Sequence, residues 1–532
     1  MKWCQVVNML PKVQEYLLKK AKTVKKRGLS YCLLITAILW LVPMVIVAVI
    51  YRLNMTNRNY FTMYIDTQDD PFFIVNDKFI SLGLDSSVIA RGFPHFNMTD
   101  PVLVQMMKYL SPAYLRIGGN QADQIVFLRN ADGTSGEDVH GQYSNSSNEY
   151  YLKAPDWLSL YNTVTSANLN IIYDLNSLLR NEDGAWNATN AIEMLEFSKE
   201  HGLFVNWELG NEPNSYPHKF GTSVNATQLG EDYKFLRSVL DKYDLYKNSY
   251  LIGPSTTRLR TKDIQGYFRE FLQSGSEAVS AITFHHYYFS GETAIWTDFL
   301  DVENFDYLAS CIDTVKDVLG LIPDLDKPLW IGETADAWHG GAPNLTDRYI
   351  GSFLWLDKLG LSAKMGIDVV VRQSIFNGHY ALMNDSYYPN PDWWLSILYK
   401  TLVSPKVLAT TSEGDLNIRL YAHCAKDNPL WSNKSAIVVF GVNLSFEKGF
   451  VQLKELRADP QIFVYEFTSE STLFSQFVQL NNVTLLLESN LILPDFEPRV
   501  VEQQSFDSLE MRPLSIVFWV FANTNVDACK LP

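Results

Sequence analysis

The chain has 532 residues, enough for two to four domains with a sizeable core, which excludes a peptide or a minimal binding module. Apolar residues make up 47%, charged residues 19% and aromatics 13%, a balance that excludes wholesale disorder. The formal net charge is −15, yet residues 1–28 hold eight Lys/Arg against one Glu, so the remainder carries −22 and a general nucleic-acid binder is excluded.

Residues 29–50 run without a formal charge. At 1.5 Å per residue the run is about 33 Å long, which predicts one membrane span behind a basic cytosolic tail at 1–28. Lys19, Lys20, Lys22, Lys25, Lys26 and Arg27 on the leading flank predict a type II orientation, with everything after the span lumenal or extracellular. The alternative is a leader that is cleaved, giving a secreted or lysosomal protein. Ten N-x-S/T sequons follow the span, at Asn54, Asn97, Asn145, Asn187, Asn225, Asn344, Asn384, Asn433, Asn443 and Asn482, and are read as glycosylation sites. Of the five cysteines, Cys311, Cys424 and Cys529 would meet oxidants. Cys424–Cys529 is the preferred bridge, worth about 4.7 kcal/mol in the chain-entropy model for a loop of that size.

From residue 78 onward, short β-rich runs alternate with helical patterns. Strands are predicted at 78–84, 113–117, 170–175, 203–209, 250–253, 281–285, 329–332 and 366–371, and helices at 190–201, 232–242 and 347–359, among others. Eight alternations over residues 78–404 predict an α/β fold of the (β/α)8 TIM-barrel type, since no G-x-G-x-x-G opens the first unit. Residues 129–149, rich in Asn, Gly, Ser and Asp, read as an exposed insertion, and residues 51–77 as a stem. After Pro405 the pattern changes to short strands over 405–532, which predicts an antiparallel β-sandwich.

Asn211 and Glu212 fall just past the end of the predicted fourth strand, and Glu333 at the end of the seventh. Barrel active sites are built on that rim. Two acidic groups there can face one glycosidic bond, and a retaining glycosidase needs them about 5–5.5 Å apart. Glu212 is expected to be the acid/base, kept protonated by a site that disfavours its charge, and Glu333 the nucleophile. Glu208 is expected to point to a buried partner instead. His285-His286 is not read as a metal pair, because adjacent residues alternate faces in a strand and no further ligand completes a set. No metal and no cofactor is expected, and the absence of G-x-S-x-G and P-loop motifs removes serine hydrolases and nucleotide-phosphate enzymes.

Three stretches carry a resemblance: Trp207-Glu-Leu-Gly-Asn-Glu-Pro-Asn-Ser215, Leu110-Ser-Pro-Ala-Tyr-Leu-Arg-Ile-Gly-Gly119 and Phe353-Leu-Trp-Leu-Asp-Lys-Leu-Gly-Leu-Ser-Ala-Lys-Met-Gly366. Over nearly the whole chain after residue 50 the sequence resembles the heparanase family, glycoside hydrolase family 79 of clan A. The resemblance implies a barrel plus β-sandwich, with a strand from residues near 60–77 joining the sandwich. It also implies Glu212 as acid/base, Glu333 as nucleophile and the Cys424–Cys529 bridge. It implies that Asp85, Asn211, His285, Gln373, Gly340 and Tyr380 surround a uronic acid, with Arg260 as a further substrate contact. The implied partner is a glucuronic-acid-containing polysaccharide or proteoglycan such as heparan sulfate.

Cations of the animal members are missing at Gln121, Glu292 and Thr261, and Trp338-His339 replaces a tyrosine and a glycine. Each lost cation removes a partner for sulfate, so a less sulfated glycan fits as well. Family proenzymes lose a longer segment at the place of 129–149, and the shorter insertion here predicts activity without cleavage. The expected activity is that of a retaining endo-β-glucuronidase. The alternatives are an exo-acting β-glucuronidase and a catalytically idle glycan-binding surface protein.

Overall fold

The computed structural model describes residues 59–67, 70–130, 149–432, 435–503 and 505–530. The chain divides into two units, Met1–Tyr60, of which only Asn59 and Tyr60 are described, and Phe61–Pro532, to which the fold below belongs.

Eight parallel strands close a barrel: β1 (Ile80–Asp85), β2 (Ala113–Gly118), β3 (Leu169–Leu175), β4 (Asn206–Leu209), β5 (Leu251–Thr256), β6 (Ala281–His286), β7 (Leu329–Thr334) and β8 (Ile367–Arg372). Each strand pairs with its sequence neighbours, and β8 returns to β1. One long helix follows every strand: α1 (Pro101–Tyr109), α2 (Ala154–Ser166), α3 (Thr189–Glu200), α4 (Ala226–Leu240), α5 (Lys262–Gly275), α6 (Val302–Leu319), α7 (Gly351–Lys364) and α8 (Pro391–Leu402). Side chains that seed these helices are visible in the sequence. Asp100, Asn225, Thr261 and Asp301 each accept a backbone N–H in the first turn of α1, α4, α5 and α6. The Asn225 cap explains why α4 begins six residues before the predicted 232.

Inside the barrel the layers are chemically distinct. Tyr114, Ile172, Ile252, Ala281, Trp330, Val369 and Val371 form an apolar plug nearer the strand starts, with the Trp330 ring tilted against that of Tyr114 at 5.3 Å. One step of the two-residue period onward, Arg116, Asp174 and Glu208 replace them with charge. The apolar layer excludes water from below, and the polar layer opens on the rim.

The remaining strands form two antiparallel sheets. One, of nine strands, is built around Ile418–Ala425, Ala436–Asn443, Ser515–Ala522 and Gln461–Ser469. The other, of four, has the order Thr410–Gly414, Tyr60–Ile65, Gly449–Lys454 and Leu509–Met511. Met63, Ile65, Val451 and Met511 from the small sheet share one buried cluster with Leu420, Val439, Val464 and Trp519 from the large one. Cys424 and Cys529 are disulfide-bonded at the edge of that cluster, with Cα atoms 5.3 Å apart. The other face of the large sheet lies on α7. A Cβ on Gly360 would sit 2.1 Å from the Tyr421 ring, and Asp357 accepts from Arg419 Nε (2.7 Å) and Tyr421 OH (2.6 Å). α7 is therefore buried nearly all round, which is why its polar–apolar periodicity is weak and the predicted 347–359 misses its limits by four or five residues.

Two expectations need correction. Among the described residues no helix is long and apolar enough to cross a membrane, and 29–50, with the tail at 1–28, lies outside them. The single-pass type II anchor is withdrawn accordingly. Of the sequons, Asn54, Asn145 and Asn433 lie outside the described residues; Asn97, Asn225, Asn344 and Asn482 are exposed, and Asn187 and Asn384 half-buried. Asn443 is fully buried, and its Nδ2 already donates to Glu447 O (3.0 Å) and Arg512 O (2.9 Å). No glycan can be attached there without breaking the large sheet. Of the insertion 129–149, only Arg129, Asn130 and Glu149 are described; its ends leave a parallel pair, Ile125–Leu128 with Tyr150–Lys153.

Candidate active site

The two glutamates reach the rim by different backbone devices. Glu212 follows β4 through Gly210, whose φ of +85° suits glycine and where a Cβ would lie 2.5 Å from both Ser177 Oγ and Tyr216 OH. Asn211 N–H then donates to the buried Asp123 (2.9 Å), in the short turn Ala122–Gln124 after β2, and Glu212 N–H to Ser255 O on β5 (2.9 Å), so the turn is pinned from both sides. Glu212 itself is left-handed (φ 53°, ψ 55°), a conformation that costs a non-glycine residue energy and is tolerated where function demands a fixed direction. Glu333 depends on a β-bulge. Phe284 pairs with Ile331 but His285 with Glu333, so Gly332 is an extra residue in β7. Strict alternation from the inward Trp330 would turn Glu333 outward, and the bulge returns it to the interior.

One oxygen of Glu212, one of Glu333 and a ring nitrogen of His285 lie within 4.8 Å of one another. Three such donors can in principle hold an ion, but each carboxylate already has a cationic or hydrogen-bonding partner. Glu333 Oε2 accepts from Arg116 Nη1 (2.8 Å) and Oε1 from Tyr287 OH (2.7 Å). Glu212 Oε1 meets His285 Nδ1 (3.0 Å), and Oε2 accepts from Lys219 Nζ (2.5 Å). All four carboxylate oxygens of the pair are thus engaged by protein side chains.

Arg116 ties the floor together. It is 1% exposed and binds Glu208 (2.6 Å), Glu333 and Asn211 Oδ1 (2.8 Å), with Asp174 at 3.7 Å. Burial alone would weaken its charge, but Glu208, Glu333 and Asp174 outweigh burial and hold the guanidinium firmly protonated. The glycines after it are sterically required: a Cβ on Gly118 would be 2.7 Å from the guanidinium carbon and one on Gly119 2.8 Å from Asp85 Oδ2. Burial pushes the Asp85 carboxyl up. Burial also favours a protonated Glu212, but the Lys219 ammonium and the His285 hydrogen bond override it and hold that carboxyl far below its ordinary range. The site was expected to disfavour this charge; a cation seven residues along the chain reverses the balance.

The structure brings most of the expected residues together. Gln373 donates to Asp85 (2.9 Å), Asn211 and His285 flank the glutamates, and Tyr380 lies close enough to feel Asp85, Glu333 and Gln373. Gly340 accepts from His379 N–H (2.6 Å), which sets the loop carrying Tyr380. Arg260 stands apart, exposed after β5, and among the described residues no hydrogen bond or ion pair joins its side chain to either glutamate. Arg258 is the engaged cation of that segment, between Trp338 (4.7 Å) and Tyr307 (5.4 Å) and donating to Tyr287 O (2.5 Å). Sequence reasoning missed Arg116, Tyr287 and Lys219. The forced glycine pair after Arg116 was a usable signal for the first; nothing local marks the others.

The model of the N-terminal domain of glycosyl hydrolase family 79 matches residues 86–360. The chain is 32% identical to the heparanase of Gallus gallus over 86% of its length and 95% of that protein. It is 31% identical to the hyaluronoglucuronidase of Hirudo nipponia (86% and 96%) and to the inactive heparanase-2 of Homo sapiens (87% and 88%). Among solved structures, a 4-O-α-L-rhamnosyl-β-D-glucuronidase from Fusarium oxysporum superposes with a TM-score of 0.63 at 15% identity, covering 86% of this chain and 99% of that one, a likeness of fold. With a rim that carries two facing glutamates and this match across more than half its length, the chain belongs to glycosyl hydrolase family 79 and is a glycoside hydrolase.

Proposed function

We propose that the chain is a retaining, endo-acting β-glucuronidase that cuts glucuronide linkages in heparan sulfate or a less sulfated glycosaminoglycan. The observation that carries the reading is the closeness of the two carboxylates, within 4.8 Å at their nearest oxygens. Retaining enzymes need about 5–5.5 Å between the groups and inverting enzymes at least about 6.5 Å, to admit a water. Glu333, paired with Arg116 and aligned by Tyr287, attacks the anomeric carbon while Glu212 gives a proton to the glycosidic oxygen, and the leaving saccharide departs as an alcohol. Water then adds to the glycosyl ester, Glu212 takes the proton back, and Glu333 is released. Asp85, Gln373, Tyr380 and Gly340 are assigned to the glucuronyl group, with His285 orienting Glu212. Because Glu212 must first gain a proton that Lys219 opposes, the rate rises as pH falls along the basic limb of the profile.

A low degree of sulfation is supported by three features. Thr261 caps α5 where a cation of the animal members is missing, Glu292 pairs with His339 (3.2 Å), and Arg258 is consumed by carbonyls and rings. The names of the relatives, heparanase and hyaluronoglucuronidase, span the sulfated and unsulfated cases. The reading takes 78–404 as the catalytic barrel and 405–532, joined by a strand from 51–77, as a β-sandwich; the support is the buried cluster common to the two antiparallel sheets.

A second reading, an idle glycan-binding protein, is favoured by one observation, the ion pair that keeps the proposed donor unprotonated. The full chain assayed on heparan sulfate, hyaluronan and an aryl β-glucuronide, beside Glu212→Gln and Glu333→Gln, decides between the readings. Turnover of a polysaccharide into oligosaccharides by the wild type alone supports the first, and binding without turnover supports the second.

A further inference from the structure

Lys219 closes the one-turn helix Tyr216–Lys219 that follows the Glu212 turn. The helix is anchored by Tyr216, which is fully buried with its OH 2.5 Å from Ser177 Oγ. Its Nζ reaches Glu212 Oε2 and Asn120 Oδ1, both at 2.5 Å. The pair stands at the mouth of the site, with the Lys219 side chain 21% exposed and that of Glu212 16%. The charged and titratable groups facing Glu212 are Lys219 from this helix, His285 from β6, Glu333 from β7 and Tyr287 after β6; Arg116 from β2 holds the adjacent Asn211. Arg116 is locked beneath Glu208 and Glu333, and Arg258 is stacked away from the glutamates. Among the described residues Lys219 is thus the cation beside Glu212 that has solvent access and a flexible stem, and an ammonium is a point charge that exchanges partners without geometric loss.

We propose that Lys219 is an anion-sensing residue on the leaving-group side: it ion-pairs Glu212 in the empty site, and a sulfate or carboxylate on the departing saccharide draws it off, releasing Glu212 to serve as proton donor. The inference rests on the assignment of Glu212 as acid/base. A solvated proton is taken up by Glu212 before the glycosidic bond breaks and leaves on the aglycone oxygen, the hydrolytic water returns a proton to Glu212 as it opens the glycosyl ester, and Lys219 keeps its own protons throughout. Charge assistance is then sensed at one position instead of along a polycationic groove, which suits a chain that carries −22 beyond residue 28.

The test uses the full chain, Lys219→Met, Lys219→Arg and Glu212→Gln, with three tetrasaccharides identical except that the departing sugar is neutral, carboxylated or sulfated. The wild type is expected to cleave the charged substrates with kcat at least about tenfold above the neutral one, and with the basic limb of the pH profile at higher pH. Lys219→Met is expected to abolish the preference and to raise the basic limb for the neutral substrate by about one pH unit or more, and Lys219→Arg to retain a preference. A preference for one charged form alone identifies which anion is sensed. A preference that survives Lys219→Met, or an equal loss on all three substrates with an unmoved limb, overturns the proposal. Full turnover by Glu212→Gln instead removes the acid/base assignment beneath it, whatever Lys219 does.

Discussion

The two carboxylates of the cleft are partnered in opposite ways. On the Glu333 side the partners are a wholly buried arginine, itself clamped by Glu208 and Asn211, and a tyrosine hydroxyl. On the Glu212 side they are a histidine edge and a partly exposed lysine on a one-turn helix. A nucleophile must carry its charge throughout the approach of substrate, so a rigid, desolvated network serves it. A donor must change protonation within each turnover, so its cation has to be removable. The contrast supports the proposed roles of Glu333 and Glu212.

Removing the carboxylates breaks the comparison most severely. Glu333→Gln is expected to lose on the order of 10⁴-fold or more in kcat, against ~10²–10⁴-fold for Glu212→Gln. The Glu212 loss should shrink when the leaving group is an acidic phenol that needs no proton, which steady-state rates on aryl glucuronides against a polysaccharide will read. Arg116→Met strips the floor of its counter-charge and strands buried carboxylates, so about 3–5 kcal/mol of stability should go, measured by thermal or urea denaturation; an unchanged midpoint would mean that the network carries little energy. Tyr287→Phe sharpens the contrast at smaller scale. The loss of the one hydrogen bond that aligns Glu333 should lower kcat about 10- to 100-fold, the equivalent of about 1.5–3 kcal/mol, read by steady-state rates on the same substrates.

Much of the barrel is legible because its signals are local. Alternating strands and helices, caps such as Asn225, and Asn211-Glu212 at a strand end require only neighbouring residues. The residues that give the site its electrostatics are not local. Arg116 meets Glu333 across 217 positions and Tyr287 meets it across 46, and neither sits in a pattern that reveals the contact. The bulge at Gly332 escapes for another reason: alternation within 329–334 alone assigns Glu333 to the outer face, and only the register against β6 and β8 corrects it. Lys219 was overlooked because no continuous helix joins it to Glu212, and the intervening turn at Pro213–Ser215 and short helix Tyr216–Lys219 fold it back. Asn443 shows the reverse error. Its sequon is a three-residue rule that takes no account of the strand pairing which buries it.

The most direct test of two carboxylates acting on one linkage is to trap the glycosyl-enzyme. The full chain incubated with a 2-deoxy-2-fluoro-β-glucuronyl fluoride, digested and sequenced by mass spectrometry, should carry one fluoroglucuronyl group on Glu333, with Glu333→Gln unlabelled. Label on another residue, or turnover that proceeds with inversion at the anomeric carbon and no label at all, would contradict the account.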